Sequence, residues 1–338
     1  MIELGVEPQR KSVIIAEEEP AHYLILGDFG GRATEPLAID RESFDSVMAK
    51  LQVTLDGAPF HELEDFHPDR LFRNLDLFRE VDPAQTDVLG ERMRGLLHDP
   101  RFQAVEAAWR GLDFVIRSDS GSDSAVRIHI AHLPKADAAR DLLDAGLDAL
   151  LGSRKWRAVI GLYAFGPAAA DIEFLGRMAR IAAQIGAPFI AEGAADMGDL
   201  WEQLRAIPEA SYLGLALPRF LLRLPYGART SAISSIPFEE MPAAPVHAHF
   251  LWGNPALAFL TLLTAGGALN LEGVPLHTYE HEGELQTTPC SEAWMTETQI
   301  LSLIDLGMMP LVSFRDSDRV RLAGFRAING EELALRSA

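Results

Sequence analysis

Apolar residues fall along this chain at two spacings, strict alternation and steps of three to four, and each spacing predicts a different element. The stretch AHYLILGDFGG, from Ala21, is a short apolar run stopped by glycines, which predicts a strand. DRESFDSVMAKL predicts a helix, with Asp40 as its N-cap and Glu42 in its first turn. QVTLDGAPFHEL alternates as a strand does, with Asp56-Gly57 as a turn, so residues 21–62 read as a small α+β unit. From 65 to 115 the period lengthens: Phe72, Leu75 and Phe78, then Phe102, Val105, Trp109 and Leu112, stand three or four apart and predict helices. SDSGSDS (118–124) is a polar loop; VRIHIAHL then alternates as a strand, DLLDAGLDALL is an amphipathic helix and AVIGLYAF a buried strand. DIEFLGRMARIAAQIG, PFIAEG and MGDLWEQLRAI continue as helix, strand and helix, with Gly186 and Pro188 as a helix stop. LPRFLLRLPYG ends the alternation at a Pro-Tyr-Gly corner, and TETQILSLIDLG with MMPLVSF forms a last helix and strand. This succession predicts an α/β fold with α+β elements, a mixed and partly parallel sheet flanked by helices.

Composition narrows the function. A chain of 338 residues favours two or three structural units. Thirty Lys and Arg against forty-nine Asp and Glu leave a net charge of -19, and no run of basic residues stands ready for phosphates. Nucleic acid is therefore not an expected partner. Only Lys11, Lys50, Lys135 and Lys155 are lysines, so the positive charge is almost all arginine, the residue suited to bidentate carboxylate contacts. A single cysteine, Cys290, excludes an internal disulfide and fits a reducing cytoplasm. The first twenty residues read as a flexible arm with no apolar signal core. Phe250 to Leu271 carries no charge and reaches the length of a membrane span. Asn254, Pro255, Gly266, Gly267 and Asn270 interrupt it, which favours a buried core helix over membrane insertion.

Chemistry finds little footing. Asp28-Phe29-Gly30 copies the magnesium triplet of protein kinases, but the elements that must precede it have no room. Gly27, Gly30 and Gly31 follow a strand without the G-x-G-x-x-G spacing, and Pro36 breaks any immediate helix. Asp65-Phe66-His67-Pro68 reads as a helix start. Glu239 and Glu240 are adjacent, and a catalytic pair must converge across a cleft. His277 and His281 have the i, i+4 spacing that on a helix could place two imidazoles on one metal; they are the foothold of a metal-dependent enzyme. Gly273, Pro275 and Gly283 oppose a helix there. The expectation is no catalysis, no cofactor and no metal.

Two stretches carry a resemblance. LILGDFGGRATEPLAIDRESFDSVMAKLQV with FHELEDFHPDRL is similar to the core of the small subunit of the type VI secretion contractile sheath. HDPRFQAVEAAWRGLDFVI, DIEFLGRMARIAAQIGAPFIA, YLGLALPRFLLRLPYG, IPFEE, HFLWGNPALAFL and TETQILSLIDLGMMPLV resemble, in order, the large subunit. The resemblance implies a non-catalytic structural protomer, or an initiator or cap of the sheath; a regulatory adaptor that binds sheath or baseplate proteins without polymerising is the alternative. Its partners would be the two sheath subunits or copies of itself, with inner tube and baseplate proteins beyond them. The implied layout is an arm (1–20), a small-subunit-like segment (21–64), a helical connector (65–124) and a large-subunit-like α/β core (125–338). Both halves stand in one polypeptide, without the long helices that follow the small subunit's core and with a shortened C-terminal region. By motif match, the residues for partner contact or structural support are Trp109, Arg110, Gly111, Arg219, Arg223, Tyr226, Gly227, Glu239, Glu240 and Trp252. If they are internal, Arg219 and Arg223 pair with Glu239 and Glu240 and tie strand to helix.

Overall fold

The computed structural model describes residues 19–32, 35–118, 126–143, 150–152 and 154–335. Its strands are, in chain order, β1 (Ala21–Gly27), β2 (Leu37–Ile39), β3 (Thr54–Leu55), β4 (Ala58–Pro59), β5 (Val126–His132), β6 (Ala158–Phe165), β7 (Phe189–Gly193) and β8 (Leu213–Leu217). There follow β9 (Phe220–Leu221), β10 (Trp252–Gly253), β11 (Asn270–Leu271), β12 (His277–His281), β13 (Glu284–Thr288), β14 (Met308–Ser313) and β15 (Val320–Leu322). Nine of them form one sheet in the order β11-β15-β14-β8-β7-β6-β1-β5-β2. Six inner strands, from β14 to β5, run parallel. Antiparallel strands close both edges: β2 beyond β5, then β15 and β11 beyond β14.

The apolar run at the start of the chain has a structural reason. Tyr23 and Ile25 enter one core while Leu24 and Leu26 enter another, on opposite faces of the sheet. A parallel strand covered on both sides reads as continuous apolar sequence. β1 is thus not part of a separate small unit: it lies between β5 and β6, and β2 borders β5 in the same sheet.

One face is covered by helices Pro100–Ser118 and Pro255–Thr264, which pack on each other, with Pro255–Thr264 lying over β6, β7 and β8. Helix Ala169–Ile185 covers the other face, beside Lys135–Leu143 and Trp201–Arg205. Pro255–Thr264 is buried from Pro255 to Leu262, which accounts for the charge-free stretch; among the described residues no helix is long and apolar enough to cross a membrane. Its start is set by the Asn254 side chain, which accepts the Ala256 amide at 3.0 Å, and by Pro255 in the first turn. Ala169–Ile185 ends on Gly186 in the left-handed conformation.

Local chemistry shifts two boundaries. The helix expected from Asp40 begins at Phe44, because Asp40 Oδ1 takes the amides of Glu42 and Ser43 and the Ser43 hydroxyl into a side-chain turn. His277 and His281 lie on strand β12, paired with β13, so they stand about 13 Å apart along the backbone and lose the helical metal geometry. Residues 1–18 of the expected arm, 119–124 of the polar loop and 144–149 of DLLDAGLDALL lie outside the described residues.

Candidate functional site

The motif residues converge on helix Pro100–Ser118. Its core stripe of Phe102, Val105, Trp109 and Leu112 is buried, and Glu106 sits within that stripe with no exposure at all. A carboxylate there must be paired, because an isolated buried charge is far too costly. One turn on, Arg110 Nε donates to Glu106 Oε1 at 2.6 Å. A second guanidinium comes from Arg223, which follows β9 and is itself buried. Arg223 Nε donates to Glu106 Oε1 at 2.8 Å, and its Nη1 donates to Glu240 Oε2 at 2.8 Å. Its Nη2 reaches the remaining oxygen of each carboxylate, at 3.3 Å and 3.2 Å. One arginine thus bridges two carboxylates in the planar fork geometry that lysine cannot supply.

The Pro-Tyr-Gly corner completes the cluster. The Tyr226 amide donates to Glu240 Oε2 at 2.8 Å, and the Glu240 amide returns a bond to the Tyr226 carbonyl at 2.8 Å. Arg110 Nη2 donates to the Tyr226 hydroxyl at 2.9 Å, while the Arg223 guanidinium lies 4.3 Å from the centre of the Tyr226 ring. Burial pushes the Tyr226 phenol up to about 12. Burial also opposes ionisation of Glu240, yet Arg223 and the hydrogen bonds outweigh it and hold the carboxyl below its ordinary range. Both guanidinium groups are held ionised by the carboxylates against the same burial. Two cations and two anions cancel.

The pairing differs from the expected one. Arg223 joins Glu240 as anticipated, but its other partner is Glu106, 117 residues away. Arg219 turns instead to Glu292, with Nε to Oε2 at 2.9 Å, and lies 3.9 Å from Glu192. Glu239 is exposed and takes the Ala228 amide at 3.0 Å; the close seat of its carboxylate on Gly227 leaves no room for a side chain at that glycine. Trp109 is fully buried, donates from Nε1 to the Phe29 carbonyl at 3.0 Å and stands edge-on to Phe29 and Phe44. Gly111 is where the Leu257 side chain of helix Pro255–Thr264 approaches, so that a Cβ would collide with it. Trp252 donates to the His247 carbonyl at 3.0 Å and stacks on the His247 ring. Seven of the ten motif residues are buried, Arg110 and Arg219 are half-buried, and Glu239 is exposed. Glu106 was the residue sequence reasoning missed. Its signal was a charge on an apolar stripe, four residues after Phe102 and three before Trp109.

The other place to look for chemistry is the crevice where the order of the parallel strands reverses, between β1 and β6 at their carboxyl ends, the usual ligand site of such sheets. Its polar groups are engaged with one another. Lys135 Nζ donates to the Ala164 carbonyl and to Asp171 Oδ1, both at 2.6 Å, and Asp171 Oδ2 takes the Gly166 amide. Tyr163 donates to the Leu133 carbonyl at 2.7 Å. His132 Nδ1 accepts the Phe29 amide at 3.1 Å, and burial lowers its pKa against the pull of Asp28 and Asp137. Among the described residues no group of three His, Cys, Asp or Glu side chains is placed to hold a metal ion.

Comparison with known proteins identifies the family. The family model VipB, described as EvpB/VC_A0108, tail sheath N-terminal domain, matches residues 84–200 and 198–329. The type VI secretion system sheath protein TssC1 of Pseudomonas aeruginosa is 25% identical over 287 residues, covering 69% of this chain and 57% of that protein. The chain therefore spans less than two thirds of the length of that relative. With the match extending over well more than half of the chain, this protein belongs to the VipB tail-sheath family of the type VI secretion system.

Proposed function

We propose that this protein is a non-catalytic structural component of a type VI secretion apparatus, working in the cytoplasm as a sheath protomer or as an initiator or cap of the sheath. The observation that carries the reading is the charge-balanced cluster of Glu106, Arg110, Arg223 and Glu240, which spends its strongest hydrogen-bonding groups on one another. The cluster ties a core helix to the corner after β9, the kind of rigid link a subunit under mechanical load requires. The engaged crevice between β1 and β6 supports the same reading, since the groups there hold the fold. In this proposal the motif residues act as internal supports, and the contacts with sheath subunits, other copies, inner tube or baseplate are made by surfaces they hold in place. The proposal extends to the layout: a small-subunit-like segment (21–64) contributes β1 and β2 to the sheet of the large-subunit-like core.

Negative-stain microscopy of the purified full chain, alone and with the two sheath subunits, tests it. Rings or tubes from this chain alone mean a self-sufficient protomer, and particles confined to sheath tips mean an initiator or cap. Particles that bind sheath proteins without entering any ordered array favour the adaptor. Particles that never associate refute the proposal.

A further inference from the structure

One guanidinium stands between two carboxylates at the carboxyl ends of the inner strands. Arg219 lies in the turn between β8 and β9, Glu192 is near the end of β7, and Glu292 precedes helix Glu297–Asp305. Arg219 gives its fork to Glu292: Nε donates to Oε2 at 2.9 Å and Nη2 donates to Oε1. The Glu292 amide returns a bond to the Arg219 carbonyl at 2.8 Å. Glu192 is left at the margin, with Oε1 3.9 Å from Arg219 Nε and Oε2 3.4 Å from Asn254 Nδ2. That nitrogen is shared, since the Tyr163 carbonyl lies 3.4 Å from it as well. Lys135 is near enough for its charge to reach Glu192, but its ammonium is held by the Ala164 carbonyl and Asp171.

The cluster also has an outlet to solvent. His247 Nε2 lies 3.3 Å from Glu292 Oε1, and the His247 side chain is 56% exposed. Its ring stacks on Trp252, just before the Asn254 cap of helix Pro255–Thr264.

Two carboxylates that share one cation cannot both ionise freely, so one of them keeps its proton into a higher pH range. The hydrogen bonds decide which. Burial opposes ionisation of Glu292, yet the Arg219 fork, aided by His247, holds its carboxyl below the ordinary range. Burial pushes Glu192 up to about 7, with Arg219 and Lys135 opposing and the Glu292 charge adding to it.

We propose that Glu192, Arg219, Glu292 and His247 form a proton-linked switch, in which ionisation of Glu192 draws Arg219 away from Glu292 and leaves Glu292 to pair with His247. With Glu192 protonated, Arg219 ties the β8–β9 turn to the segment before helix Glu297–Asp305. With Glu192 ionised, the guanidinium is shared with β7, and the released Glu292 oxygen favours a proton on His247. A proton leaves a buried carboxyl while another is favoured on an exposed imidazole, so the cluster titrates as a unit. The switch belongs to the fold of this chain and operates whether or not the chain enters a sheath.

Nuclear magnetic resonance of the full chain, with histidine rings and arginine Nε labelled, tests it between about pH 5 and about pH 8, where histidine changes charge. In wild type the Arg219 Nε–H signal is expected to move with a midpoint at about 7, following Glu192. Glu192→Gln should abolish that step and lower the His247 midpoint by about half a unit, about threefold in proton affinity, the effect of one charge across a solvated gap. Glu292→Gln should lower it further, because it removes the direct partner of His247. Glu173→Gln takes a carboxylate from helix Ala169–Ile185, on the other face of the sheet, and should leave His247 unmoved. His247→Gln should leave the Arg219 step in place. An Arg219 signal constant through neutral pH overturns the proposal, a result that needs no variant. So does an Arg219 step that survives Glu192→Gln or vanishes in His247→Gln. A His247 midpoint unmoved by Glu192→Gln, or moved equally by Glu173→Gln, overturns it as well.

Discussion

Removing the Arg223 side chain is the sharpest perturbation of the buried cluster. Arg223→Ala leaves the Glu240 carboxylate, 1% exposed, with the Tyr226 amide as its remaining close donor, because His98 Nε2 is 3.6 Å away. Glu106 keeps Arg110. Breaking a buried pair so that one charge is stranded costs about 3–5 kcal/mol, most of it the desolvation of the orphan. With a urea slope of about 3 kcal/mol/M, the midpoint should fall by about 1–1.7 M. Arg219→Ala is the control: its side chain is 38% exposed, so its pair with Glu292 is screened and worth less than about 1 kcal/mol. Arg223→Met with Glu240→Leu removes both charges together and should recover most of the loss, because replacing a buried pair by apolar groups is often neutral. Acid adds an independent axis. The Glu240 carboxyl is held below its ordinary value of 4.5, so its contribution is present above that pH and is lost as pH falls through the folded value. The gap between wild type and Arg223→Ala should therefore narrow below about pH 4.5. An Arg223→Ala midpoint no lower than that of Arg219→Ala would refute the reasoning, as would a double variant no better than the single one.

Three further outcomes are expected. Gly111→Ala pushes a methyl group into Leu257 and should cost about 1–3 kcal/mol by thermal or urea unfolding, with no change in secondary structure content. Burial, opposed by Arg219 and reinforced by Glu292, pushes Glu192 up to about 7 from 4.5. A raised carboxyl costs stability as pH climbs from about 4.5 to about 7, so Glu192→Gln should flatten that decline and gain up to about 3 kcal/mol above it. Asp69 resists burial through the Ser234 and Ser235 amides and the Ser234 hydroxyl, which hold its carboxyl well below the usual range. Asp69→Ala should release the 234–235 loop from helix Pro68–Asn74, seen as faster amide exchange there, and cost about 1–3 kcal/mol.

Local features of the fold were legible in the sequence wherever a single residue type decides the backbone. Gly186 ends its helix, Pro68 and Pro255 open theirs, and Asp56-Gly57 turns the β3–β4 hairpin with positive φ at both positions. Strand partners were not legible, because β1 pairs with segments that begin at Val126 and Ala158 and an apolar run carries no label for its neighbours. The same limit applied to the charges. Glu239 and Glu240 look equivalent in the sequence, yet adjacent side chains point apart: one is exposed and the other buried against Arg223. Glu106 went unnoticed because i, i+4 pairing with Arg110 reads like an ordinary surface salt bridge until the apolar stripe around it is counted.

The central position of β1 has a consequence for synthesis. This strand leaves the ribosome before the other described strands of its sheet, and the segment that forms its β5 partner starts 126 − 27 = 99 residues later. At about 5–20 residues per second, that leaves Ala21–Gly27 without its sheet neighbours for about 5–20 seconds, with both apolar faces and both hydrogen-bonding edges open. Helix Phe44–Leu51 and the β3–β4 hairpin emerge in that interval and can shield only the face that carries Tyr23 and Ile25. The nascent chain is thus most vulnerable to misassembly before β6 appears. In a cell making many copies at once, holdase capacity during that window, rather than the stability of the finished fold, would set the yield of usable protein.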